Sequence, residues 1–171
     1  MPIHKRVNVM KLLSILSDET GSELVEFAFS ICIVLACMFG ILYVSLALYA
    51  DHFVANAAKE GARYAMVRGS SWGGSACTST SAYSCTATNT DVNNFVKSIL
   101  TPGLADSDLK VNASWPGTTP SGSTCDTTNG DNSPYCVVEV KVSYSFASSL
   151  LPFIPEKTLA FSSTSIVPIT E

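Results

Sequence analysis

The sequence contains little of what catalysis or nucleic-acid binding needs. Its two histidines are His4 and His52, and no glycine-rich phosphate loop, Ser/His/Asp set or metal-ligand motif accompanies them. The 10 basic residues are fewer than the 14 acidic ones and stand singly after residue 51, so no basic stripe could neutralise a phosphate backbone. We therefore expect no enzymatic activity, no cofactor, no metal, no small-molecule substrate and no nucleic-acid partner.

One segment supplies much of the hydrophobic content, which is 47% of the chain. From Phe27 to Ala50, 24 consecutive residues carry no charge. As a helix, with a rise of about 1.5 Å per residue, this run is about 36 Å long and can cross a hydrocarbon core of about 30 Å with some tilt. It predicts one membrane span over about residues 24–50. A cleaved secretory signal, cut near Ala47 or Ala50, is the alternative, but such signals have an apolar region of only about 7–15 residues.

Basic residues set the orientation of the span. Lys5, Arg6 and Lys11 precede it, and positively charged flanks stay in the cytoplasm. Lys59 and Arg63 follow the span a few turns later and weaken this bias. We expect a single-pass protein with a cytoplasmic N-terminus and a C-terminal domain on the far side of the membrane.

The cysteines agree with that orientation. Cys32 and Cys37 lie within the apolar run, where thiols behave as small hydrophobic groups. Four more fall in polar loops and predict two disulfides in an oxidising compartment: Cys77, Cys85, Cys125 and Cys136. Three connectivities are open, and we favour the local pairs Cys77 with Cys85 and Cys125 with Cys136. A zinc site is the competing interpretation, but the spacings are irregular and no nearby histidine contributes.

A continuous helix is predicted over residues 22–68, where no proline or turn cluster interrupts the chain. Its outer half, residues 51–68, is amphipathic, with an arc about 100° wide that is polar. That arc contains His52, Asn56, Lys59, Glu60 and Arg63. The other face is apolar and mostly small, with Phe53, Val54, Ala57, Ala58, Gly61, Ala62, Tyr64 and Ala65. This apolar stripe needs a cover outside the bilayer, and the domain that follows can supply it.

The rest of the chain alternates between loops and regular patterns. Residues 69–89 have no period and predict a loop, and a short helix follows, capped by Thr90 and ending at Leu100 before Pro102 and Gly103. Three segments alternate with period two and predict strands with one buried face: Leu109 to Trp115, Val138 to Phe146, and Leu159 to Ile169 with serine interruptions. The order of the strands stays open.

The predicted fold class is α+β, because a sheet with one apolar face and a helix with an apolar stripe cover each other as two layers. A long N-terminal transmembrane helix continues into a small domain with a short helix and about three antiparallel strands. The domain boundaries are residues 1–21 for a cytoplasmic leader, 22–68 for the long helix, and 69–171 for the disulfide-bearing domain.

A glycine and a glutamate frame the entrance to the span. Glu26 and Phe27 are the fifth and sixth residues after Gly21, at the point where the apolar run begins. A carboxylate there needs a partner, or must reach water among the lipid headgroups. The arrangement resembles the class III signal of type IV pilin-like proteins. The resemblance implies cleavage by a prepilin peptidase between Gly21 and Ser22, after which Ser22, Glu26 and Phe27 would serve assembly. Glu26 would neutralise the Ser22 ammonium of its own or a neighbouring subunit.

A second motif lies just beyond the span. Residues 56–65 read Asn-Ala-Ala-Lys-Glu-Gly-Ala-Arg-Tyr-Ala. This stretch is similar to the signature of TadE-like proteins, which belong to tight-adherence (Flp-type) pilus systems. Both motifs lie within the first 68 residues, and residues 69–171 contain no motif that we can match.

The composition of the second motif suits close helix packing. Small residues let another backbone approach, and the predicted packing residues are Ala57, Ala58, Gly61, Ala62, Arg63 and Ala65. Arg63 can also pair with Glu60 one turn back, although such an exposed pair contributes less than about 1 kcal/mol. The alternative is that this face packs only on the protein's own sheet, and the two interpretations are compatible.

The resemblance implies a structural and assembly role, as a minor pilin or pseudopilin. The implied partners are the membrane, other pilin-like subunits, the inner-membrane assembly platform and the prepilin peptidase. The protein would lie in the bacterial inner membrane with a periplasmic C-terminal domain, and whether it enters the extracellular pilus stays open. The alternative function is an uncleaved, membrane-anchored sensor or adhesin.

Overall fold

The computed structural model describes residues 19–73, 75–125, 133–148 and 157–170. The basic residues of the predicted leader, Lys5, Arg6 and Lys11, lie outside the described residues, as does His4. The chain divides into two compact units, residues 1–44 and residues 45–171, which we describe separately.

In the first unit, the described residues all belong to one long helix, α1, which continues into the second unit. It begins at Glu19, rather than at residue 22, and ends at Met66, rather than at residue 68. Every side chain from residue 21 to residue 42 is exposed. In the described part of the chain, the segment Gly21–Met66 is the one helix that is long and apolar enough, by length and composition, to cross a membrane. This finding fits a single-pass membrane anchor.

The second unit contains a three-stranded antiparallel sheet, as predicted. Strand β1 is Leu109–Ser114, β2 is Val137–Ser148 and β3 is Lys157–Pro168, in the order β1-β2-β3. The serines of the third segment do not interrupt it, because β3 pairs residue by residue with all of β2. The inward positions of β1 and β2 alternate as expected and bury the valines and aromatic residues of one face.

The part of α1 that belongs to the second unit covers this sheet. All eight residues of the predicted apolar stripe are buried, and the polar arc is exposed except for the half-buried Glu60. The buried stripe, the sheet and the second helix form one hydrophobic core. The prediction of an α+β fold with two layers is therefore confirmed.

Gly61 lies where the layers come closest. A Cβ atom on Gly61 would stand 3.0 Å from Cγ2 of Val96, 3.2 Å from Cγ1 of Val140 and 3.5 Å from Cγ1 of Val92. Val140 belongs to the central strand, and the other two valines belong to the second helix. The absence of a side chain on Gly61 lets the helix backbone touch both elements.

The second helix, α2, is Asn89–Ser98, and its predicted cap was wrong. Thr88, not Thr90, is the N-cap. The Thr88 hydroxyl accepts the Asp91 backbone N–H at 3.3 Å, and the Asp91 carboxylate accepts the Thr88 N–H at 2.9 Å. This reciprocal capping box satisfies two N–H groups, whereas a cap at Thr90 would have left Asp91 inside the first turn without that role.

Both local disulfides are present, and the predicted connectivity is confirmed. Cys77 pairs with Cys85, and Cys125 pairs with Cys136. By loop-closure entropy alone, rings of this size stabilise the fold by about 2.5–3 kcal/mol each. The pairing leaves none of these four thiols to bind zinc, while Cys32 and Cys37 are free and exposed.

Arg68 fastens the first disulfide loop to the end of α1. Its side chain is almost fully buried. Nε donates to the Ala82 carbonyl at 2.7 Å, and Nη1 donates to the Tyr64 carbonyl at 2.9 Å. The guanidinium also lies 3.8 Å from the ring centroid of Tyr64 and 5.3 Å from that of Tyr83. One side chain thus satisfies a helix-end carbonyl and holds the loop by hydrogen bonding and cation–π contact.

We expect Gly61→Leu to destabilise the second unit by about 2 kcal/mol or more, because an isobutyl group cannot fit among three valines. The expected fall in melting temperature is on the order of 5–10 °C for a unit of this size. The measurement is thermal unfolding of the full chain in detergent, followed by circular dichroism. Gly40→Leu is the matched control, since a Cβ there meets nothing within 4 Å. Equal melting temperatures for the two variants would contradict the close approach.

Arg68→Lys should lower the free energy of unfolding by about 1.5–3 kcal/mol, because an ammonium cannot reproduce the forked contacts of a guanidinium. The measurement is urea unfolding of the same preparation. Arg63→Lys is the control, because the Arg63 side chain is 70% exposed and pairs only with Glu60 at 3.3 Å among the described residues. A surface change of this kind shifts stability by no more than about 0.5 kcal/mol. An unchanged urea midpoint for Arg68→Lys would show that the fork is dispensable.

Candidate assembly helix

The predicted processing residues all lie in α1 and all are exposed. Gly21, Ser22, Glu26 and Phe27 are helical, and the Phe27 side chain is 66% exposed. None of them contributes to the hydrophobic core. The structure therefore places the four residues on one helix without giving them a packing role within the described chain.

Gly21 has no structural requirement for being a glycine. A Cβ at this position would meet no heavy atom of the described residues within 4 Å, and Gly21 is not among the glycines with positive φ. A glycine inside a helix costs about 0.5–1 kcal/mol relative to alanine. Among the described residues, no contact therefore requires a small residue at position 21.

Glu26 is an exposed carboxylate at the border of the uncharged run. Within the described residues it forms no ion pair, and both ion pairs that are present involve other residues. Ser22 stands four residues earlier, which puts the two side chains on the same face of α1, one turn apart. The Glu26 carboxylate can therefore stabilise a positive charge placed beside Ser22. Without such a charge, burial of Glu26 in lipid would be unfavourable.

The small residues of the second motif face the interior of their own unit. Ala57, Ala58, Ala62 and Ala65 are each no more than 1% exposed and belong to the core around Gly61. Their close approach is thus made to the sheet and α2 of the same chain, which is the second of the two interpretations that the sequence left open.

Arg63 stands apart from the other predicted packing residues. It lies on the exposed face and contacts Glu60, as the spacing predicted. It takes no part in the packing of the core, because Arg63, like Lys59 one turn earlier, points to solvent.

Arg68 is the residue that sequence reasoning missed. The signal was present, because a basic residue just past a helix end often binds the last carbonyls. Its burial could not be foreseen, since it depends on the Tyr83 loop, which is fixed by the Cys77–Cys85 disulfide. The Tyr64 ring stacks on the Phe95 ring with the centroids 4.4 Å apart, which joins the end of α1 to α2. Arg68 joins the same end of α1 to the loop.

Comparison with known proteins assigns the N-terminal segment. Residues 21–63 match the family model described as TadE-like protein, a pilus-related structural family. No curated protein and no solved structure matches the chain. The match begins at Gly21 and includes Glu26 and residues 56–63 of the second motif. Over residues 21–63 the chain therefore carries a TadE-like segment, and the resemblance predicted from the second motif is confirmed there.

Proposed function

We propose that this protein is a minor pilin or pseudopilin of a bacterial tight-adherence pilus, cleaved by a prepilin peptidase between Gly21 and Ser22. The observation that carries the proposal is that Gly21 and Glu26 lie in the TadE-like segment, while neither belongs to the core or to an ion pair among the described residues. A glycine and a glutamate with no packing role among the described residues call for reasons outside the chain. A peptidase that needs a small residue before the cut, and neighbouring subunits that need a charge, supply those reasons.

Cleavage would change the electrostatics of the helix. It would create an ammonium at Ser22, one helical turn from the Glu26 carboxylate. The attraction between two opposite charges is much stronger in a medium of low dielectric constant than in water. It outweighs the cost of removing the charges from water only when both groups are also hydrogen-bonded. This ion pair, within one subunit or between two, would lower the free-energy cost of burying the start of α1 in a bundle of apolar helices. An unpaired Glu26 carboxylate would make that burial unfavourable.

The remaining features of α1 support assembly side by side. Residues 21–42 are almost entirely apolar and exposed all around the helix, and a helix of that kind is stable only in lipid or among other apolar helices. The partners in this proposal are the membrane, other pilin-like subunits and the inner-membrane assembly platform. The disulfide-bearing unit would lie in the periplasm, where disulfides persist.

The first test is the N-terminal residue of the native protein, read by mass spectrometry in cells with and without the prepilin peptidase. We expect Ser22 as the first residue when the peptidase is present and an intact leader when it is absent. An intact leader in both strains would contradict the proposal and favour an uncleaved anchored sensor or adhesin.

The requirement for a small residue is tested by Gly21→Ala and Gly21→Trp. Both changes leave the fold intact, because a Cβ at this position has open space around it. Alanine should retain cleavage in part, and tryptophan should abolish it, as seen by gel mobility of the membrane fraction. Normal cleavage of Gly21→Trp would remove the basis for this processing site.

Glu26→Gln should separate cleavage from assembly. The change removes the negative charge but keeps the size of the side chain, so we expect normal cleavage. We expect at least about tenfold less copurification with other pilin-like subunits, since each 1.4 kcal/mol lost is a factor of ten.

Glu23→Gln is the matched control for that experiment. Glu23 is equally exposed on the same helix but lies outside the glycine-to-glutamate spacing of the signal. It should copurify at the wild-type level. Equal copurification of the two glutamine variants would mean that Glu26 has no role in assembly and is only a solvated charge at the level of the lipid headgroups.

A further inference from the structure

The two edge strands of the sheet, β1 and β3, differ in whether another element of the chain covers them. At the β1 edge, the Ala113 backbone N–H donates to the Asn89 side-chain oxygen at 2.9 Å, and α2 packs along β1. The β1 edge is therefore occupied by a helix of the same chain. Strand β3 forms the other edge.

The register tells which backbone groups of β3 point outward. Because the Ala113 N–H points away from β2, Ala113 and Val140 form a pair without mutual hydrogen bonds. The backbone groups of Val140 must then face β3, where its partner is Ser165. Odd-numbered residues of β3 thus bond to β2, and the Ile169 N–H bonded to the Cys136 carbonyl at 3.0 Å follows the same parity. The even-numbered residues direct their N–H and C=O groups outward.

These outward groups form a long and unprotected edge. They belong to Thr158, Ala160, Ser162, Thr164 and Ile166, all of which are exposed. Within the described part of the chain no hydrogen bond reaches them. Natural edge strands are usually guarded by charges, prolines or bulges. From residue 158 to residue 167 β3 has no charge and no proline, and its pairing with β2 runs without a bulge from Lys157 to Pro168.

We propose that β3 pairs edge to edge, antiparallel, with β3 of a second copy of this chain. The occupied β1 edge leaves a neighbouring copy no free β1 strand to offer, so head-to-tail stacking of sheets is blocked. Pairing β3 with itself joins the two open edges in one closed two-fold interface. The proposal is independent of cleavage at Gly21, because it concerns only the second unit.

The sequence of β3 is compatible with itself in this arrangement. With the two-fold axis at the middle of the strand, at Ser162 or Ser163, the interface pairs up to 11 residues of each copy. When the axis is at Ser162, Thr158 faces Ile166, and Ala160 faces Thr164. No like charges are opposed, and the small hydroxyl side chains at the centre suit cross-strand contact.

Cysteine cross-linking in membranes tests the pairing. The full chain is expressed with Cys32→Ala and Cys37→Ala, so that the two free thiols are removed. A single cysteine is then added by Ser162→Cys or by Ser163→Cys, and the membranes are oxidised. We expect one of the two to give a disulfide-linked dimer as the main species, because cross-strand Cβ atoms on the axis are close enough for a disulfide.

Two single-cysteine controls define the specificity. Thr158→Cys lies on the same edge but faces position 166 or 168 of the other copy, for an axis at Ser162 or Ser163. Its two thiols would be at least about 27 Å apart and should not link. Asn112→Cys is exposed on the occupied β1 strand and should not link either. In the cross-linking background, Thr164→Lys should remove most of the dimer, since a lysine on an edge opposes pairing, whereas Asn112→Lys should leave it.

Three results would overturn the proposal. The first is no dimer from either central cysteine while circular dichroism shows a folded chain. The second is equal cross-linking at Asn112 or Thr158, which would indicate random collision. The third is cross-linking of the central cysteines to a different protein only, which would make the edge a heterotypic interface. None of these results depends on whether the peptidase cuts the chain.

Discussion

The close contact of Gly61 with valines of the sheet and of α2 is the constraint on which the second unit depends. A helix can lie this near to a central strand only where its own side chains are absent or small. Alanines on the neighbouring turns continue the same spacing along α1. The fully buried Val138, Val140 and Val142 of β2 are thereby covered by the helix. Wider spacing would open voids, and each lost packing contact lowers stability.

Helix α1 combines two segments with different physical reasons for their sequences. Residues 50–65 are amphipathic, and their apolar face is satisfied inside the chain. Residues 27–42 carry no charge, are exposed on every side and do not belong to the hydrophobic core, so the core does not explain their apolar composition. Membrane lipid or neighbouring helices must provide the surroundings that make such a segment stable. Folding thus accounts for one part of the helix, and the other part has the length and composition of a membrane anchor.

Polar contacts and cross-links organise the loops that have few apolar side chains to bury. Arg68 and the Cys77–Cys85 disulfide hold the first loop, and the Cys125–Cys136 disulfide joins the start of β2 to the loop before it. The chain after β3 returns to the helix end, where the Thr170 N–H donates to the Met66 carbonyl at 3.2 Å. These contacts surround the end of α1, so that the helix, both disulfide loops and the last strand are fixed as one unit.

The sequence by itself determined the features that depend on local pattern. The apolar stripe of α1, the alternation within the three strands and the short-range pairing of the cysteines were all predictable, because periodicity and small loop size act between residues close in the chain. The family followed from motifs that are also local. Thr88 as the cap of α2 was missed because Thr90 satisfies the same local preference, and only the reciprocal bonds with Asp91 distinguish them.

Only the tertiary structure decided the strand order, the burial of Arg68 and the difference between the two sheet edges. Each of these depends on residues that are distant in sequence, such as Asn89 with Ala113 or Arg68 with Ala82. A hydrogen bond of that kind forms because the core has already brought the groups together, and no sequence period encodes it. The structure also showed that the small residues near Gly61 contact their own sheet, since the same alanines would suit a neighbouring helix equally well.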